Sequence, residues 1–97
     1  MPRPRLQRRI SANPYVTYYK PAGVPLRRLQ TEELTHEEWE ALRLKHTEGL
    51  DQHTSAKRMK TSQSTLQRIL TSAHEKIGKA IVQGCAISIE KQKTSML

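Results

Sequence analysis

Leu66, Ile69, Leu70, Ala73, Ile77, Ala80 and Ile81 recur at the three- and four-residue spacing that places side chains on one face of an α-helix. The stripe runs for about 20 residues, or roughly 30 Å at 1.5 Å per residue. A helix of that length buries its apolar face only if the rest of a short chain packs along it. Its ends are marked as well. Ser62 offers a hydroxyl to the free N–H groups of the first turn, and Gly84 can take the left-handed conformation that closes a helix.

Two shorter helices are predicted upstream. Thr35 and Glu38 form a T-x-x-E capping box, in which the hydroxyl accepts one orphan N–H and the carboxylate returns to the cap. Glu37, Glu38 and Glu40 then fall where the helix dipole favours negative charge. Trp39, Ala41, Leu42 and Leu44 form the apolar stripe, and Gly49 is the expected stop. Asp51 caps a second helix reaching Met59, with Ala56 and Met59 turned inward. Lys60, Thr61 and Ser62 interrupt the pattern before the long helix begins.

The fold class implied is mainly α: a three-helix, helix-turn-helix domain with a long third helix. VTYY, ahead of Lys20-Pro21, and CAISIE, which alternates Cys85, Ile87 and Ile89 with Ala86, Ser88 and Glu90, are the expected partners in a small two-stranded β element joining the N- and C-terminal segments. Residues 1–14 read as a basic extended arm held open by Pro2, Pro4 and Pro14. Residues 15–90 form the domain, with the helix-turn-helix unit at about 51–83, and residues 91–97 are a flexible tail. A chain of 97 residues is enough for one small core.

Charge narrows the function. Lys and Arg number 17 against 9 Asp and Glu, and they come in blocks. Arg3, Arg5, Arg8, Arg9, Lys20, Arg27 and Arg28 precede any acid. Residues 31–53 are acidic, and residues 54–97 are basic again apart from Glu75 and Glu90. Such blocks suit a polyanion, because each cation placed on a phosphate releases condensed counterions. A basic amphipathic membrane helix is excluded by the prolines of the arm.

Other classes find little support. Lone Cys85 cannot form an internal disulfide and reads as a buried structural thiol, and no apolar run approaches a membrane span, so a cytoplasmic protein is expected. His36, His46, His53 and His74 are scattered and no Cys or carboxylate completes a metal set. With no nucleophile motif or phosphate loop either, no catalytic group, metal or cofactor is expected, and the chain does not read as an enzyme.

The outward face of the long helix carries the chemistry of a DNA reader. Gln63, Ser64, Gln67, Arg68 and Thr71 all donate or accept hydrogen bonds, with no acid before Glu75. Gln can bond adenine bidentately, Arg can bond guanine, and Ser adapts to either. Ser62, Gln63, Ser64, Gln67 and Arg68 are the predicted base readers. Lys57, Arg58, Lys60 and Thr61 around the turn, with Arg3, Arg5, Arg8 and Arg9 of the arm, are the predicted backbone or minor-groove contacts. Lys76 and Lys79 extend the basic character along the helix. Double-stranded DNA is the expected partner, and a homodimer is expected because most operators mirror a two-fold axis. The alternative partner is an acidic protein such as a component of the transcription machinery.

The stretches RPRLQRRI, YYKPAGVPL, LTHEEWEALRLKHTEGL and SAKRMKTSQSTLQRILTSAHEKIGKAIVQGCAISIE resemble uncharacterised protein family 0251, also called domain of unknown function 134. The motifs R-P-R, R-R-I, K-P-x-G-x-P-L, E-A-L-R-L, E-G-L and S-x-x-T-x-x-R-I-L occur in the family's order over residues 2 to 90. The resemblance implies a small bacterial or archaeal DNA-binding protein whose helix-turn-helix is similar to region four of sigma factors. It also marks departures. Family members often carry Cys at the position of Gln7 and sometimes at that of Ser11. They usually have Gly at Lys60, an aliphatic residue at Thr61, Arg at Gln63, Phe at Leu66 and Gly at Gln67. A lysine in place of that glycine costs about 1 kcal/mol if the turn is left-handed there.

Overall fold

The computed structural model describes Pro14 and residues 17–91. Arg3, Arg5, Arg8 and Arg9, with the rest of the arm before Pro14, and the tail beyond Lys91 lie outside the described residues. Strand β1 is Tyr18–Tyr19, and a single 3-10 turn at Leu26–Arg28 leads to β2, Thr31–Leu34. Helix α1, His36–Leu42, continues as a π-helical turn over Arg43–Thr47. Helix α2 is Gln52–Arg58, helix α3 is Gln63–Gln83, and strand β3, Ala86–Ile89, follows. The fold is mainly α with a long third helix, as expected.

The caps lie where the sequence placed them. The Glu38 N–H donates to Thr35 Oγ1 at 3.1 Å and the Thr35 N–H donates to Glu38 Oε1 at 2.9 Å, completing the capping box. Asp51 Oδ1 accepts from the Thr54 N–H at 2.7 Å, and Ser62 Oγ accepts from the Thr65 N–H at 3.1 Å. Gly84 closes α3 with φ of 71°, and the Cys85 N–H returns to the Ala80 carbonyl at 2.9 Å.

The sheet differs from expectation. β1 and β3 do pair, antiparallel, with Tyr18 opposite Ser88 and Tyr19 opposite Ile87. The sheet has three strands rather than two, in the order β1-β3-β2, because β2 runs parallel to β3 from Thr31 opposite Ala86 to Leu34 opposite Ile89. The two neighbouring glutamates of TEEL hide this strand in the sequence. Glu32 is half-buried and its carboxylate meets Lys79 Nζ on α3 at 3.2 Å, while Leu34 beside it enters the core. Helices α1 to α3 form the crossover that a parallel pair requires.

Two hydrophobic clusters meet at half-buried Leu42. One holds Ala41, Ala56, Leu66 and Leu70 at the junction of the three helices, with Met59 and Ile69 against it. The other holds Leu34, Ala73 and Ile89 between sheet and α3, flanked by Trp39, Ile77 and Ile87. Ala56 is 3% exposed, so α2 packs where a larger side chain has no room, and Ala56→Leu should cost about 1–3 kcal/mol through overpacking in a denaturant titration. The apolar stripe of α3 ends one residue earlier than its periodicity suggests. Ile81 is 74% exposed and Val82 85%, whereas Ala80 before them is buried. Cys85 is buried, as expected of a structural thiol.

Candidate nucleic-acid interface

Helix α2, the turn of residues 59–62 and the first turns of α3 form one continuous edge. The turn is a Schellman closure: the Thr61 N–H donates to the Ala56 carbonyl at 3.0 Å and the Lys60 N–H to the Lys57 carbonyl at 3.1 Å. That pattern requires a left-handed residue after the helix cap, and Lys60 supplies it with φ of 58°. Every other positive φ among the described residues falls on glycine, at Gly23, Gly49 and Gly84. Lys60 is therefore strained where a glycine would not be. Lys60→Gly should raise the unfolding free energy by about 0.5–1 kcal/mol, read as a shift of the denaturation midpoint at constant slope.

Ser62, Gln63, Ser64, Gln67 and Arg68 are all exposed, and the turn of the chain brings them alongside exposed Lys57, Arg58 and Lys60. Their tips are engaged to different degrees. Ser62 Oγ accepts from the Thr65 N–H, donates to Thr65 Oγ1 at 3.0 Å and stands 3.2 Å from Ser64 Oγ, so its main role is the cap. Gln63 Nε2 stands 3.2 Å from His53 Nδ1, and its carbonyl accepts from Gln52 Nε2 at 3.1 Å, which ties the starts of α2 and α3 together. Gln67 Nε2 makes only a long contact of 3.5 Å with Thr71 Oγ1. Thr61 is half-buried and commits its N–H to the turn.

The cations divide into two groups. Lys76 donates to Glu38 Oε1 at 2.8 Å and to the Glu33 carbonyl at 2.7 Å, and Lys79 pairs with Glu32. Arg43 is held between Glu40 and Glu48 at 2.9 and 3.0 Å. These side chains fasten α3 to β2 and α1 and close the end of α1, so the basic character that Lys76 and Lys79 carry along the helix is offset by Glu38 and Glu32, with Lys79 still exposed. By contrast Lys57, Arg58, Lys60 and Arg68 make no ion pair among the described residues, and all four are exposed, as are Lys20, Arg27, Arg28, Lys45 and Lys91 elsewhere in the chain. Sequence alone could not set Lys76 and Lys79 apart, because Glu38 and Glu32 lie far from them along the chain.

Glu38 is the structural hub between α1 and the middle of α3. It is 6% exposed, and besides Lys76 and the Thr35 N–H it accepts from Ser72 Oγ at 2.6 Å. Burial pushes its carboxyl up, but the hydrogen bonds from Lys76, Ser72 and the Thr35 backbone, with the Lys76 charge, outweigh this and hold it below its ordinary value. Among the described residues no group of three or more His, Cys, Asp and Glu is placed to hold a metal ion, and no helix is long and apolar enough to cross a membrane. An open apolar cleft of about 400 Å³ lies between sheet and α1, lined by Tyr19, Trp39, Ile77 and Ile87 among others.

A long third helix, a left-handed turn before it and a parallel strand pair closing the domain define one compact architecture, and comparison with known proteins assigns the chain to a family. Residues 1–95 match the family described as "Protein of unknown function DUF134", and the chain belongs to it. It is 52% identical over 90 residues to a UPF0251 protein of Moorella thermoacetica, covering 93% of this chain and 60% of that protein. UPF0251 proteins of Caldanaerobacter subterraneus and Dehalococcoides mccartyi are each 51% identical over 90 residues, covering 93% of this chain and 76% and 77% of theirs. The chain thus spans less than two thirds of the Moorella protein. No solved structure matches it.

Proposed function

We propose that the chain binds double-stranded DNA in a sequence-specific manner through α2, the turn and α3, and acts in the cytoplasm as a transcriptional regulator. The observation that carries this reading is the sorting of cations. Lys76 and Lys79, in the C-terminal half of α3, are held in ion pairs, while Lys57, Arg58, Lys60 and Arg68 stand exposed without such pairs among the described residues, around the hydrogen-bonding side chains that begin α3. Lys60 holds its place at a left-handed φ that favours glycine, a strain of the kind accepted at functional sites. Gln67 and Arg68 would read base edges with Gln63 and Ser64. Ser62 would order the helix start, and Lys57, Arg58 and Lys60 would meet phosphates.

The rival reading, a basic surface that docks an acidic component of the transcription machinery, uses the same cations but has no role for the hydrogen-bonding face. Selecting bound sequences from a random duplex pool separates the two. Recovery of a preferred site, followed by a loss of about 1–3 kcal/mol for Gln67→Ala or Arg68→Ala on that site with relaxed preference, is the expected result. A pool that yields no enrichment would leave the rival in place. A homodimer suits the reading, with the contact at the C-terminal end of α3. Exposed Ile81 and Val82 support that placement, and mass measurement in solution with and without Ile81→Lys tests it.

A further inference from the structure

The π-helical turn of α1 brings one histidine against another from α3. His46 Nε2 and His74 Nε2 stand 3.0 Å apart, with ring centroids 5.3 Å apart and planes at 66°. Both residues are exposed. The 28 residues between them in sequence make this a contact built by the fold. Two nitrogens bound to one ion at about 2.0–2.1 Å lie roughly 2.9–3.4 Å apart, the lower figure for a right angle and the higher for a tetrahedron. The observed separation falls at the lower end of that range, while the 5.3 Å between centroids sets the rings nearly end to end, so each must turn by about 45° for both nitrogens to face one ion. A π-helical turn, one residue wider than an α turn, is itself a feature concentrated at functional sites.

We propose that His46 and His74 form a two-imidazole clamp for one borderline transition-metal dication, of the zinc, nickel or copper class. In the metal-free pair one Nε2–H donates to the other Nε2. On binding, the donating ring moves its proton from Nε2 to Nδ1 and both rings turn, so that the two Nε2 lone pairs face the ion. The remaining coordination positions open to solvent, where water fills them. The clamp fastens the end of α1 to the middle of α3, at the rim of the apolar cleft that His46 and Arg43 help to line. Arg43 adds little repulsion to an incoming cation because Glu40 and Glu48 already neutralise it. The proposal does not depend on DNA binding.

The test is a titration of the full chain, without an affinity tag, with nickel and zinc chloride. Imidazole resonances are followed by NMR and the melting temperature is measured in parallel. Saturable binding of one equivalent, with the His46 and His74 resonances responding together and a rise in melting temperature reversed by a chelator, is expected. His46→Gln and His74→Gln should each weaken binding about tenfold or more, because the second imidazole acts at high effective concentration. His53→Gln should leave it unchanged. Equal weakening in all three variants, or binding that survives loss of either clamp residue, would overturn the proposal.

Discussion

Leu66→Ala is expected to lower the unfolding free energy by about 2–5 kcal/mol, the range for emptying a fully buried leucine site that cannot collapse. Leu66 is 0% exposed and shares its cluster with Ala41, Ala56 and Leu70. Two of those three neighbours are alanines with no side-chain length to fill the void, which places the cost in the upper part of the range. Small domains have only about 5–15 kcal/mol in total. The variant should therefore melt far earlier or fail to hold α2 against α3. Urea denaturation followed by far-ultraviolet circular dichroism measures it, and a loss below about 1 kcal/mol would mean that the three-helix junction does not carry the fold.

Glu38→Ala has the second large effect, about 3 kcal/mol, because it leaves Lys76, Ser72 and the Thr35 N–H without their common acceptor. The cost sits at the low end for a broken buried pair, since the Lys76 side chain is 29% exposed and keeps the Glu33 carbonyl. The same residue sets an acid limb. A carboxyl whose folded value is depressed contributes stability that is fully present above its unfolded value, near 4.5, and is lost as pH falls through the folded value. Stability should hold near neutrality and decline below about pH 4.5. Glu38→Gln, which retains a capping-box acceptor, should flatten that decline. Asp51, lowered by the Thr54 backbone hydrogen bond, acts in the same direction. An unchanged acid limb in Glu38→Gln would assign the decline to other carboxylates.

What could be read in the sequence follows the range of the forces involved. Thr35, Asp51, Ser62 and Gly84 mark helix ends through contacts within a few residues, and each cap lies where its side-chain chemistry places it. The glycine that the resemblance implies at the position of Lys60 foreshadows the left-handed turn. Pairings across long stretches of chain were not legible. β2 consists of residues that look like an acidic loop until Lys79 and β3 are beside it. The free-looking Lys76 and Lys79 turn out to hold Glu38 and Glu32. His46, on the π-helical turn, and His74, on α3, are scattered in the sequence and meet only in the folded chain. The exposed face of α3 was legible because a helix period alone assigns it.

Lys60 connects fold and proposed function in one side chain. Lys60→Gly relieves the left-handed strain and removes an unpaired cation, so it should stabilise the protein while weakening every duplex alike. A relative with glycine at this position would trade in the opposite direction.

The central claim rests on phosphate contact by the cations around the turn, and a duplex titration at several salt concentrations tests it most directly. Affinity at low salt should fall linearly with rising salt on a logarithmic plot. The slope should flatten by about 0.9 for each of Lys57, Arg58 and Lys60 replaced by Gln, or by about 2.7 in the triple variant. No affinity for any duplex at low salt, or a slope unchanged in the triple variant, would contradict it.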